Sequence, residues 1–430
     1  MRKRLSVRVV DSIAAIPAAT WDACAYGAPL EAGSENSAKR LRETENRGKS
    51  ESESEALESK SEEAALSEPV PDWHNPFISH AFLSSLEESG CVSARTGWAP
   101  QHLLVEDATG AVLAAMPCYL KNHSRGEYVF DHGWAEAFEH AGGRYYPKLQ
   151  VSVPFTPVTG PRLLLRPGPR MESAREALVA GALQLCKRRE ASSLHITFAT
   201  ESDWKYLTTL GLLARNDCQF HWFNDGYTSF EDFLAALSSR KRKILKRERR
   251  EALDGVEVAR LTGKELTESA WDAFFAFYMD TGSRKWGQPY LNRAFFSIVS
   301  GKMADRIVLV LAKRGGHYVA GALNFLGANT IYGRYWGTTE SRPFLHFEVC
   351  YYQAIEYAIE HKLARVEAGA QGPHKLARGY MPVTTYSAHW IGDPGLRRAV
   401  ADYLERERAH VAAESEELAA LGPFRKDATI

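Results

Sequence analysis

The strongest constraint on the fold is that the chain describes one unit twice. Residues 102–120, HLLVEDATGAVLAAMPCYL, and 307–326, IVLVLAKRGGHYVAGALNFL, each read as a strand, a glycine turn and a second strand. Gly110 and Gly316 hold the turns, 206 residues apart. The same offset carries GEYVF (126–130) onto YGRYW (332–336), a third strand ending in aromatic residues. A helix with paired apolar residues precedes each hairpin: Phe77, Ile78, Ala81, Phe82 and Leu86 in one, Phe295, Phe296, Ile298 and Val299 in the other. A longer helix follows each third strand, with a 3.6-residue stripe of Ala174, Leu178, Ala182 and Leu185 in the first copy and Leu345, Val349, Tyr352 and Ile355 in the second. Each copy then runs through a short strand (SLHITFA; ARVEAGA) to a closing strand carrying His-Trp, at His221 and His389. There the offset has fallen to 168, which places about 38 extra residues of the first copy between Asp131 and Arg170. This order predicts a mixed sheet with helices on both faces, an α/β (α+β) fold built twice.

The first copy takes residues 1–30 and 69–228, the second takes 229–405, and 406–430 form a polar tail. Residues 31–68 belong to neither. With eleven Glu, six Lys or Arg and Thr44 as the sole β-branched residue, they bury too little apolar surface to offset ordering and read as a disordered acidic insertion. The whole chain balances 53 basic against 53 acidic residues, so it is no polycation built to coat DNA. Setting aside the insertion, whose net charge is −5, leaves +5 on the rest. Much of that excess gathers in SSRKRKILKRERRE, where Arg240, Lys241, Arg242, Lys243, Lys246, Arg247, Arg249 and Arg250 crowd into three helical turns. Like charges at this spacing repel unless an anion lies against them, so the run is either a solvated basic face or a phosphate-binding helix. No apolar run reaches the ~18 residues of a membrane span. Six dispersed cysteines without a C-x-x-C pair suit a reducing compartment, hence a cytoplasmic protein, and argue against a zinc site or a disulfide frame.

Several runs carry a family resemblance. The basic R-K-I-x-K-x-x-R opening of the second copy, the Gly-x-(n)-Lys-x-x-x-Gly pattern after its fifth strand, and HSRGEYVFDHGWA, YYPKLQVSVPFTPVTGPRLL, YGRYWG, LHFEVCYYQAIE and GAQGPHKLARGY resemble the FemABX-type N-acyltransferases. They are most similar to the bacterial FemAB-like predicted N-acyltransferase family, labelled as concerned with peptidoglycan biosynthesis or recognition. The resemblance spans about Val7 to Glu405, apart from the insertion. It implies two acetyltransferase-like (GNAT) domains in tandem and amide-forming transfer of an acyl or aminoacyl group to an amine. The characterised relatives move amino acids from aminoacyl-tRNA to a cell-wall precursor. No tightly bound cofactor is implied; the donor is aminoacyl-tRNA, acyl-CoA or an acyl carrier, and the acceptor a small-molecule or glycopeptide amine. The usual acetyltransferase loop, Arg/Gln-x-x-Gly-x-Gly/Ala, is missing, because WGTTESRPFLHFE has no spaced glycine after Gly337. Without backbone N–H groups to cradle a pyrophosphate, side chains must hold the phosphates, which favours a tRNA- or carrier-borne donor. Two other readings stand beside this one: a CoA- or carrier-dependent N-acyltransferase of a small amine, and a non-catalytic glycopeptide-binding protein using some of the ten Trp and eighteen Tyr.

Acyl transfer to an amine needs a proton acceptor active near neutral pH, donors for the oxyanion and cations for the leaving group. Beyond Glu367, the run GAQGPHKLARGY supplies Gln371, His374, Lys375, Arg378 and Tyr380. On an α-helix His374 and Arg378 share a face, with Lys375 beside them. Lys375, His374 and Glu367 are the catalytic candidates; a carboxylate inside a strand, as at Glu367, is either a positioned base or a salt-bridged residue. Arg378, Gln371, Tyr380, Arg334, Trp336, Glu348 and Trp286 are candidate substrate-binding residues. Strand alternation puts Arg334 and Trp336 on one face. In the first copy Lys148 and Thr156 fall in an irregular Pro-rich loop assigned to acceptor binding, with Asp131 beside it, while His221 and His389 read as shared structure. His346 and Glu348 form an H-x-E with no following P-C-x-x-C, so no metal site is expected.

Overall fold

The computed structural model describes residues 5–27, 74–286, 289–369 and 372–425, so the acidic insertion and Gln371 lie outside the described residues. The first copy comprises β1 (Ser6–Val10), α1 (Ala18–Ala25), α2 (His80–Glu88), β2 (Trp98–Pro100), β3 (His102–Glu106), β4 (Val112–Met116), β5 (Cys118–Lys121), α3 (His132–His140), β6 (Lys148–Val151), β7 (Leu164–Leu165), α4 (Met171–Arg188), β8 (Ser193–Ala199), α5 (Glu201–Thr209) and β9 (Leu213–Phe223). Two helices, α6 (Phe230–Ala236) and the basic α7 (Ser239–Ala252), lead into the second copy. That copy has β10 (Glu257–Leu261), α8 (Glu268–Trp286), α9 (Arg293–Met303), β11 (Ile307–Arg314), β12 (His317–Leu326), β13 (Thr330–Thr338), a short α10 (Leu345–Phe347), a π turn (Glu348–Tyr352), α11 (Gln353–Glu360), β14 (Arg365–Glu367), a 3-10 helix (Pro373–Arg378) and β15 (Met381–Ile391). The last helix, α12 (Pro394–Ala420), continues well past Glu405, through what the sequence reads as a polar tail. Backbone bonds from Ser238 to Pro423 and from Arg425 to Ala236 then tie the chain end to the α6–α7 junction. Among the described residues no helix is long and apolar enough to cross a membrane.

Local sequence accounts for most of these elements. Ser79 and Asn292 cap α2 and α9 by accepting from Phe82 and Phe295, and Asp393 caps α12 with Pro394 as its first residue. The α4 stripe is buried as its period requires. One assignment from sequence is corrected. GEYVF is not a strand, because Gly126 and Tyr128 adopt left-handed φ of 81° and 61°. The third strand is β6, inside the region read as an irregular loop, so the extra residues lie ahead of that strand as well as after it.

The sheet is mixed, as expected, and its order is unexpected. Among the described residues eleven strands run β10-β11-β12-β13-β14-β9-β15-β8-β6-β5-β2, beside a four-stranded sheet β1-β3-β4-β7. The hairpin strand of the first copy passes from one sheet to the other at Pro117, whose missing N–H ends a ladder. The closing strands are exchanged: β9 of the first copy lies antiparallel to β14 of the second, and β15 of the second antiparallel to β8 of the first. β9 and β15 also pair with each other, from Met381↔His221 to His389↔Leu213, about a pseudo-two-fold axis. A shared core reinforces the union, with Phe77 and Phe82 of the first copy packed edge-to-face on Phe295, Phe325 and Tyr332 of the second.

Packing of α8 on β13 depends on Gly337. A Cβ there would sit 2.2 Å from the carbonyl carbon and oxygen of Phe277. Because that neighbour is backbone, Gly337→Ala forces helix and strand apart. A loss of about 3 kcal/mol is expected in urea unfolding. An unchanged midpoint would contradict the contact.

Candidate functional site

β13 and β14 run parallel, with Thr330↔Arg365, Ile331↔Val366 and Tyr332↔Glu367 opposed. β14 stops at Glu367 while β13 continues to Thr338, so the strands part there. On the other side Glu367 is paired with His221 of β9. Strands in register present side chains to a common face, so Tyr332, Glu367 and His221 form one row across strands of both copies.

A bulge in β13 sets the edge of this row. Asn324 pairs with Gly333 and Leu323 with Tyr335, leaving Arg334 as the extra residue. The alternation flips across it. Tyr335 joins Tyr332 on one core, and Trp336 turns to the other core, its ring 4.8 Å from that of His346. Arg334 and Trp336 therefore do not share a face, contrary to plain alternation. Arg334 donates to the carbonyl of Phe155 at 2.8 Å, and the Tyr335 hydroxyl donates to the same oxygen at 3.1 Å. Phe155 belongs to the first copy, has a left-handed φ of 58° and stacks on Tyr290. It brings the neighbouring Thr156 into the fold rather than to a ligand: the buried Thr156 hydroxyl donates to the Pro154 carbonyl.

Glu367 is 4% exposed. Burial pushes its carboxyl up to about 7, against the pull of Arg365 and Arg334. Arg365 Nε lies 3.2 Å from one carboxyl oxygen. The other, Oε2, has no hydrogen-bond donor among the described residues and lies 3.8 Å from His221 Nε2. Lys375 is 2% exposed, and burial brings its ammonium down to about 7, with Arg334 pressing the same way and Cys350 opposing. Its Nζ donates at 2.9 Å to the Gly369 carbonyl just beyond β14. Burial also lowers His221 to about 3, helped by the charges of Arg365 and Lys375, so this imidazole is neutral. The structure thus gathers a carboxyl and an amine, both poised to exchange protons near neutral pH, with the neutral His221 and the buried Nε of Arg334, which has no partner among the described residues. Their pKa values are displaced toward each other, a pattern typical of acid–base sites.

The other sequence candidates divide differently. Residues 373–378 form a 3-10 helix, in which positions i and i+3 eclipse. Lys375 and Arg378 are therefore both buried, while His374 is exposed and its Nε2 meets the Tyr351 hydroxyl at 2.9 Å. The expected pairing of His374 with Arg378 on one face gives way to this geometry. Arg378 donates twice to Glu248 of α7, at 2.8 and 2.9 Å, and lies over the Phe347 ring, which makes it a brace for the turn. Tyr380 is fully buried core. Glu348 is fully buried at the start of the π turn and accepts from Arg249 at 2.9 and 3.0 Å, so it anchors the basic helix instead of facing a substrate. Trp286 ends α8, and its side chain lies outside the described residues.

In the first copy Lys148 and Asp131 are sealed inside. Lys148 Nζ donates to Glu127 at 2.6 Å, to Asp131 and to Ser124 at 2.8 Å. The Tyr145 hydroxyl also donates to Asp131 at 2.7 Å. The loop after β6 folds back over β8: Gly160 N–H bonds the Phe198 carbonyl, and the fully buried Arg162 donates to the Thr197 carbonyl. Sequence reading gave His221 a shared structural role and did not single out Arg365 or the Phe155 carbonyl; the one available signal was the His-Trp pair shared by the closing strands.

Comparison with known proteins adds the following. A FemAB-like family model, described as peptidoglycan biosynthesis/recognition, matches residues 59–426. No curated protein matches the chain in sequence. The chain is similar to the crystal structure of FemX, at 14% identity and a TM-score of 0.47 over 74% of this chain and 94% of that one. It is also similar to a tandem GNAT protein from the clavulanic acid biosynthesis pathway, at 12% identity and a TM-score of 0.44 over 91% and 99%. L-PGS from Bacillus licheniformis aligns at 11% identity and a TM-score of 0.43 over 75% and 95%.

Proposed function

Since the chain belongs to the FemAB-like family of peptidoglycan biosynthesis and recognition, we propose that it is an N-acyltransferase whose single working centre lies where β13 and β14 part. The observation that carries this reading is Glu367: a buried carboxyl held near neutrality, with one oxygen unpaired among the described residues. In the proposed reaction a neutral amine attacks the carbonyl carbon of an acyl ester or thioester and loses its proton to Glu367. The oxyanion accepts from Arg334 Nε. The attack forms the C–N bond; collapse then restores the carbonyl and breaks the bond to the leaving oxygen or sulfur, which takes up a proton from Lys375 or Glu367. Preorganised donors in a site shielded from water would supply most of the acceleration.

Arg240, Lys241, Arg242 and Lys243, at the start of α7, make no ion pair among the described residues, whereas Lys246, Arg247 and Arg249 further along do. A cationic turn left unneutralised supports a donor whose phosphates are held by side chains, of which aminoacyl-tRNA is the favoured choice. The acceptor is then the amine of a cell-wall precursor peptide, handled in the cytoplasm. The described cysteines form no disulfide, which is in keeping with that compartment.

The test supplies purified protein with a peptidoglycan precursor and, separately, isotope-labelled aminoacyl-tRNA or acetyl-CoA, and follows the acceptor mass. Transfer from aminoacyl-tRNA is expected. Lys375→Met, which keeps the buried volume, should lower it by at least ~100-fold with unchanged circular dichroism. Undiminished turnover in that variant would remove Lys375 from the site. Precursor binding without any product from either donor would favour recognition over catalysis.

A further inference from the structure

The strand exchange brings into the site a residue that no feature of the second copy supplies. We propose that His221, carried on β9 of the first copy, is a positioning residue for Glu367, its Nε2–H aimed between the Gln219 side-chain oxygen and the Glu367 carboxyl oxygen Oε2. This rests on the acyltransferase reading of the site. Nε2 lies 3.4 Å from Gln219 Oε1 and 3.8 Å from Glu367 Oε2. Gln219 is itself fixed, donating at 2.9 Å to the Pro157 carbonyl in the loop that also carries Phe155. All three side chains are at least 95% buried, so the geometry is held by packing on every side.

Pseudo-symmetry gives independent support. The position equivalent to Glu367–His221 in the first copy is His195–His389, whose Nδ1 atoms lie 2.7 Å apart. There, too, a closing-strand histidine from the other copy is aimed at the fifth-strand residue, but Ser193, Tyr145 and Asp131 surround His195 and use up its contacts. Among the described residues each closing-strand histidine leaves one ring nitrogen without a partner, His221 Nδ1 and His389 Nε2, but only in the second copy does the fifth-strand residue do the same, at Glu367 Oε2. The fifth-strand residue of the second copy keeps polar capacity in reserve. That is what a positioned base needs, and a structural brace does not.

The groups facing Glu367 are Arg365 on its own strand, Tyr332 and Arg334 on β13, His221 on β9, and Lys375 just beyond β14, which acts on His221 and Arg334. An N–H directed at the ionised carboxylate favours its charged form, so removing the donor moves the Glu367 titration to higher pH. The experiment uses the full chain and isotope-edited infrared spectroscopy, with Glu367→Gln identifying the carboxyl band. His221→Leu should shift the midpoint of that band upward by about one pH unit, and the acid limb of turnover with it. His221→Gln, whose amide nitrogen replaces Nε2, should return the midpoint most of the way. A midpoint unmoved in folded His221→Leu overturns the proposal, as does His221→Gln shifting as far as His221→Leu. Because the infrared readout needs no substrate, a shifted band in a protein that transfers nothing would sink the acyltransferase reading and leave the His221–Glu367 coupling standing.

Discussion

Glu367→Gln is expected to abolish transfer, by about 10²- to 10⁴-fold, and at the same time to make the protein harder to unfold above neutral pH. The two effects share one cause. Burial holds this carboxyl at about 7 instead of its usual 4.5, so its contribution to stability is fully present below about 4.5 and is lost as pH climbs through 7. At pH 8 the folded wild type must keep a charge that the unfolded chain solvates freely, a cost of about 3 kcal/mol that the neutral glutamine avoids. Glutamine keeps the size and shape of the carboxyl, and Arg365 Nε donates to the Thr330 hydroxyl, so the surrounding geometry survives. Urea unfolding of both proteins between pH 4 and 8 should show curves that converge at the acid end and separate above neutrality, with the variant the more stable. Parallel curves, or a variant that is inactive because it is less stable, would mean that Glu367 is a structural ion pair.

Lys148→Met is expected to cost about 3–5 kcal/mol in the same measurement, although it removes nothing from the second-copy site. Lys148 is fully buried between Glu127 and Asp131. Burial alone would push the Asp131 carboxyl up, but Lys148 outweighs it and holds the group below its ordinary range. Methionine fills the volume but takes away the cation shared by two buried carboxylates, leaving Glu127 with Lys121 at 3.6 Å and Asp131 with the Tyr145 hydroxyl. Adding Glu127→Gln and Asp131→Asn should recover more than half of the loss, since a neutral polar cluster has no charge to desolvate. If the single variant loses less than 1 kcal/mol, water reaches the cluster and the first copy is not sealed.

The repeat was legible because glycine turns and apolar periods survive duplication, and Glu367 was legible because a carboxylate between Val366 and Ala368 is conspicuous in a strand. What failed depended on long-range choices. GEYVF has the β-forming residues, but positive φ at Gly126 and Tyr128 makes it a turn, and KLQV, with a lysine at its head, becomes the buried strand. A 3-10 helix and an α-helix look alike over six residues, yet the difference decides whether Lys375 accompanies Arg378 or stands beside His374. A single inserted residue at Arg334 reverses every later side chain of β13, and no local pattern announces it. Nor does alternation along β9 or β15 say which neighbour each will choose. His221 therefore reads as an ordinary structural histidine until the strand is found in the other copy's sheet.

The exchanged strands also impose an order on how the molecule can be made. β8 waits for a partner that lies almost two hundred residues downstream, since His195 pairs with His389. A ribosome that has finished the first copy has therefore produced a sheet with a raw hydrogen-bonding edge, and β14 cannot cover it. The nascent chain must carry that sticky margin until Ile391 has cleared the exit tunnel, a long exposure for a surface that readily recruits strands from other polypeptides. Proteolytic scars, stalled translation products and holdase dependence should concentrate in chains that end before Met381, because it is β15 that closes both ladders.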